Sequence, residues 1–191
     1  MPYDLLVSEP AASRELTNPC TKDSDLLDTL LQSLQDTRVA TAIREGESLF
    51  PWVECIHVLA LTLVIGSIAV VDLRLIGLTS RDRSVAETMA GTLPITWCAF
   101  VIAAISGGLL FSSNATTYAH NGYFQAKMAL IGLAGVNMGA YHLFLDRGAH
   151  TWLTPAQTPW RAKVVGAVSL CLWITIAACG RWIGFTIGAP T

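Results

Sequence analysis

The sequence predicts an all-α fold: an integral membrane four-helix bundle with an N-terminal amphipathic helix. Four apolar segments, at 51–78, 94–113, 123–145 and 161–188, come close to the roughly 20 residues a helix needs to cross a hydrocarbon core of about 30 Å. Each carries ionisable or histidine residues only near its ends. The composition, 52% hydrophobic and 14% charged, departs from soluble domains, where charge is nearer to about 25% of residues. No water reaches the backbone at that depth, so each segment must close its own hydrogen bonds, and helix is the open-ended way to do so.

Taken in order, residues 1–22 mix Pro, Ser, Asn and charge without apolar periodicity and read as an irregular tail. Over 23–46, Leu27, Leu30, Leu31, Leu34, Val39, Ala42 and Ile43 recur at helical spacing, while Asp25, Asp28, Gln32 and Arg38 take other faces. Ser24 and Asp25 suit the start of that helix and Gly46 its end. It is expected to lie on the membrane surface or across the mouth of the bundle. Residues 47–191 then form the transmembrane domain. Residues 1–10 have neither a basic n-region nor a long apolar h-region, so the first span is expected to act as its own uncleaved signal anchor.

Residues 84–90 suit a short helix ahead of the second span, with Pro94 in that span's first turn. Thr154-Pro155 and Thr158-Pro159 favour extended structure and separate the third span from the fourth. Ser106, Gly107 and Gly108, and Gly135 with Gly139, permit close backbone approach or a gap for a planar cofactor. Trp52 and Trp182 fall at the outer interface, and Trp97, Trp152 and Trp160 at the inner one. Cys55, Cys98, Cys171 and Cys179 read as small hydrophobes, with a Cys55–Cys179 bridge as the alternative.

Basic residues set the orientation. Arg74, Arg81 and Arg83 mark the first connection, and Arg147, Arg161 and Lys163 the third, whereas 114–122 has neither Lys nor Arg. The first and third connections are therefore expected in the cytoplasm, with both termini outside; Arg38 and Arg44 count against this. The net charge of −2 argues against a nucleic-acid partner.

An ionisable residue within the membrane costs about 2.5–3.5 kcal/mol on insertion scales, which makes it a functional candidate. Two polar layers are expected. Glu54, His57, Lys127, Arg181 and the loop residue His120 converge near the outer face, with Glu54 and Lys127 as an ion pair. Asp72, Arg74, Asn137 and His142 lie near the inner face, with Asp146 one turn from His142. Helix-end chemistry competes there, because Asp72 and Arg74 can snorkel to water. His57 and His142 lie about 18 Å apart along the axis and cannot share one haem. His57 and His120 can share one if the second connection folds back. His57 is also the candidate metal ligand. No phosphate loop, CxxC, HExxH or hydrolase spacing is present.

At "FPWVECIHVLALTLVIGSIAVVDLRLIGL" and "YFQAKMALIGLAGVNMGAYH" the chain resembles an uncharacterised family of bacterial four-helix inner-membrane proteins over residues 40–187. The elements that carry the resemblance map to His57, Asp72, Arg74, Lys127, Asn137 and His142. More distantly the chain looks like the membrane domain of the copper-resistance protein D family and like small b-type cytochrome anchors. The resemblance implies no activity. The residues themselves point first to a redox membrane subunit that holds haem b or exchanges electrons with quinone, with His57, His120 and His142 as cofactor candidates. The alternatives are a metal-handling or small-solute permease and a non-catalytic anchor for a periplasmic or membrane partner.

Overall fold

The structure, a computed structural model, describes residues 19–79, 84–145 and 158–187. These form seven helices and no strand: α1 (Pro19–Gln35), α2 (Arg38–Glu45), α3 (Leu49–Ile76), α4 (Val85–Ser113), α5 (Ala115–Ala119), α6 (Gly122–Phe144) and α7 (Trp160–Ile187). The expected Asp146 partner of His142, along with Arg81, Arg83, Arg147, His150, Trp152 and residues 1–18, lies outside the described residues.

Three helices, α3, α4 and α7, are long and apolar enough to cross a membrane. The expectation of four such spans is corrected here. Helix α6 has 23 residues and an apolar run interrupted by Lys127, Asn137 and His142. The expected single helix over 23–46 is also two. The chain breaks at Thr37, whose extended backbone and side-chain oxygen cap the first turn of α2 by accepting from the Ala40 amide. Helix α1 begins at Pro19, inside the stretch expected to be irregular.

Helix α4 starts nine residues before the expected span, at a capping box in which Ser84 and Glu87 bond each other's backbone amides. It then runs unbroken through Pro94, merging the expected short helix with the second span. Trp97 lies within this helix, three residues after Pro94.

The long helices stand in the order α4, α3, α7, α6, and the two ends of that row, α4 and α6, meet only near α5, where the Phe111 and Phe124 rings stack at 5.2 Å. The Thr96 hydroxyl donates to Ser67 Oγ at 2.7 Å between α4 and α3. Asn137 Nδ2 donates to the Val165 carbonyl at 3.2 Å between α6 and α7. A Cβ on Gly166 would lie 3.0 Å from Leu75 Cβ and 3.1 Å from the Asp72 carbonyl, so glycine lets α7 close onto α3. Gly135 and Gly139 do no such thing: a Cβ at either meets open space. Cys55, Cys98, Cys171 and Cys179 are free thiols, and no Cys55–Cys179 bridge forms.

Helices α1, α2 and α5 gather at the end of the row where α3 begins and α4 ends. Ala40 and Ile43 of α2 are buried there. Arg44 Nη1 donates to the carbonyls of Gln35, at 3.3 Å, and Ser113, at 3.4 Å, tying α1 to α4. Leu26, Leu27 and Leu30 of α1 remain exposed.

Candidate functional site

The polar residues separate into two groups at opposite ends of α3. At the His57 end, the imidazole reaches α4, with Nδ1 2.9 Å from the Ala103 carbonyl and 3.1 Å from Ser106 Oγ. A carbonyl only accepts, so Nδ1 carries a proton and donates, and in the neutral ring Nε2 keeps its lone pair. Gly107 makes room for the ring, since a Cβ there would lie 2.8 Å from His57 Cε1. The space that the Ser-Gly-Gly stretch was expected to leave for a macrocycle is, at Gly107, filled by the histidine.

Lys127 is half-buried on α6 and acts electrostatically on His57. Its ammonium lies across α7, 3.5 Å from the position a Gly180 Cβ would take. The rest of the expected outer layer does not assemble around this pair. Glu54 is exposed and makes no ion pair with Lys127, because it sits near Tyr118 instead. Arg181 is exposed over the Phe185 ring at 4.9 Å. His120 has both ring nitrogens engaged away from His57, Nδ1 with the Thr116 carbonyl at 2.9 Å and Nε2 at 3.6 Å from Asp28 Oδ1.

Tyr118 stacks loosely with Phe111 and Phe124 in an aromatic cluster beside α5. Burial pushes its phenol above the ordinary tyrosine range, and the nearby Glu54 acts in the same direction.

The Asp72 end holds a cavity of about 210 Å³ between α4 and α6, where the row of helices fails to close. Its walls are largely apolar and aromatic, Trp97 and Trp173 among them, and its polar groups are few: Asp72, Thr96, Asn137, Tyr141, His142 and Ser169. Asp72 is 5% exposed and Arg74 fully buried, so neither snorkels to water as helix-end chemistry would require. The Ser169 hydroxyl lies within hydrogen-bonding reach of the Asp72 carboxyl. The other carboxyl oxygen, Oδ2, is buried with no hydrogen-bond partner among the described residues.

An orphaned oxygen in a buried carboxyl is expensive. A ligand that donates to it, or that accepts from its protonated form, removes that cost. Asn137 spends its amide N–H on Val165 and keeps its oxygen. Sequence reasoning found Asp72, Asn137 and His142 but missed Ser169, Trp97 and Trp173. A lone serine or tryptophan in an apolar helix carries no signal of its own. Among the described residues no group of three His, Cys, Asp or Glu side chains is placed to hold a metal ion, including around His57.

Residues 46–186 match the model of a family of unknown function (DUF6644), and the chain belongs to that family. No curated protein and no solved structure matches it. The distant likeness to the copper-resistance protein D membrane domain and to b-type cytochrome anchors therefore finds no support.

Proposed function

We propose that this family member is the quinone-binding membrane subunit of a redox assembly, with α6 serving as a fourth span beside α7. The observation that carries the reading is Oδ2 of Asp72, without a hydrogen-bond partner among the described residues, in a largely apolar cavity open between α4 and α6. At about 210 Å³ the cavity is smaller than the roughly 300–1,000 Å³ of a drug-sized pocket, which suits a single ring-sized head. A prenyl tail would leave through the gap between α4 and α6 into lipid.

A carboxyl group matches both redox forms of such a head. Protonated, Asp72 donates to a quinone carbonyl; ionised, it accepts from a hydroquinone hydroxyl. Reduction of the quinone takes two electrons from a partner centre and two protons, one of which Asp72 can supply. His142, half-buried on α6 across the cavity, is a further titratable group there, beside Tyr141. The haem b alternative rests on one free nitrogen, Nε2 of His57, with no second histidine facing it among the described residues.

Trp97 and Trp173 provide the assay because both line the cavity. Decylubiquinone titrated into the purified protein in detergent should quench tryptophan fluorescence saturably. Asp72→Ala should weaken binding about tenfold or more, the scale of one lost hydrogen bond to a charged group. Linear, unsaturable quenching that is identical in Asp72→Ala would refute the reading.

A further inference from the structure

The Asp72 cavity is graded from a closed end to an open one. Val64, Asp72, Leu75, Ala134 and Tyr141 line it and are buried. Trp97 and Phe100 of α4, with Gly135 and Met138 of α6, line it too, yet all four are exposed and so form its mouth. On α4 that mouth is aromatic, the Trp97 and Phe100 rings meeting edge to face at 6.0 Å. On α6, Ile131, Gly135, Met138 and His142 all line the cavity and follow one another at spacings of four, three and four residues, which is one helix face. A side chain at position 135 would therefore point into the mouth, and glycine leaves that space empty. Packing does not require this glycine, since a Cβ there meets nothing within 4 Å.

The closed part of the same seam shows what the glycine does. Helix α6 returns antiparallel to α4 after α5, and Phe111 stacks on Phe124 at 5.2 Å where the two helices meet. Phe100 stands eleven residues before Phe111 and Gly135 eleven after Phe124, so both lie roughly 16 Å further along their helices, at one level. A ring faces a ring at the first level, and a ring faces no side chain at the second. We propose, resting on the quinone reading of the same cavity, that its ligand carries an apolar chain lodged between Phe100 and Gly135, and that Gly135 is the residue that selects for that chain. The polar head lies inward at Asp72 and the chain runs sideways into the bilayer, so the ligand enters from lipid.

The test compares decylubiquinone with ubiquinone-0, which has the same head and no decyl chain, by quenching of the Trp97 and Trp173 fluorescence of the full chain in detergent. Gly135→Leu should weaken decylubiquinone by about tenfold or more, the scale of two or three tail methylenes losing buried contact, and weaken ubiquinone-0 far less. Gly132→Leu is the control: Gly132 is also exposed on α6 with open space at its Cβ, but it does not line the cavity, and its variant should bind as the unmodified protein does. Undiminished decylubiquinone binding in Gly135→Leu, equal losses of the two quinones, or an equal loss in Gly132→Leu overturns the proposal. If Gly135→Leu does not fold, Phe100→Ala decides from the other side of the mouth: it should weaken decylubiquinone more than ubiquinone-0, and equal effects overturn the proposal. Saturable, Asp72-dependent quenching that ignores position 135 overturns this inference alone, whereas no saturable quenching of the unmodified protein by either quinone overturns the quinone reading and this inference together.

Discussion

Gly107→Ala is the sharpest test of how the His57 end is built, because two effects of opposite sign meet there. In a helix interior, alanine is more favourable than glycine by about 0.8–1.0 kcal/mol, so the bare expectation is stabilisation. Against it, the new Cβ would sit 2.8 Å from His57 Cε1 and needs at least 3.4 Å for ordinary contact, a displacement of about 0.6 Å (3.4 − 2.8). The ring cannot yield freely, since Nδ1 is bonded to Ala103 O at 2.9 Å and Ser106 Oγ at 3.1 Å. Overpacking costs about 1–3 kcal/mol and a strained hydrogen bond about 0.5–1.5 kcal/mol. The repulsive side wins, leaving a net loss of roughly 1–2 kcal/mol, or about 4 °C in Tm for a chain of this size.

Thermal unfolding in detergent can follow the full cycle. In a His57→Ala background the obstacle is gone, so Gly107→Ala should turn stabilising, giving a coupling of about 2–3 kcal/mol between the two positions. Gly108→Ala is the internal control, because a Cβ there meets nothing within 4 Å. If Gly107→Ala raises Tm as Gly108→Ala does, the imidazole does not occupy that space and the geometry of the site is wrong.

Two further outcomes are expected. Ser84 is buried as the α4 cap, so topology is better probed at exposed Leu78 and Thr117. Single cysteines there, in a cysteine-free background, should label from opposite sides of the membrane with an impermeant thiol reagent, position 117 from outside; labelling of both from one side would overturn the proposed path of α4. Tyr118 has a folded-state pKa above its ordinary value of about 10, so its contribution to stability is complete below about pH 10 and disappears as pH rises through the folded value. The protein should therefore lose stability more steeply than Tyr118→Phe above pH 10, and parallel alkaline unfolding curves would show that the phenol is not held neutral by the fold.

Fold class was legible because hydrophobic length is a one-dimensional property of the sequence, and α3, α4 and α7 appear where the apolar segments lie. The start of α4 was legible too: Ser84 and Glu87 spell a capping box, a stronger signal than the proline that drew attention to position 94. The arrangement of the helices was not legible. Depth along each span predicted that Glu54, His57 and Lys127 share a level, but level says nothing about azimuth. Glu54 turns outward while His57, three residues on, turns to α4. Likewise the cavity exists because α4 and α6 are the two ends of an open row, a fact of helix order that no single segment encodes.

Helix α6 explains why that open row matters. It packs principally on α7 among the long helices, and it falls short of the hydropathy that qualifies the other three as spans. The residues responsible are Lys127, whose ammonium lies against Gly180 of α7, and Asn137 and His142, which line the Asp72 cavity. A helix whose task was only to complete a bundle would gain from leucine at all three positions, given the cost of about 2.5–3.5 kcal/mol for a central lysine on insertion scales. Asn137 repays part of its own cost through the bond to Val165, which fixes α6 against α7. Lys127 has no such bond among the described residues, and His142 lines the cavity with its ring edge-on to Tyr141. Polar cost concentrated on the helix at one edge of the row, with Asn137 and His142 both on the wall of the Asp72 cavity, is the pattern expected where that cavity takes a ligand.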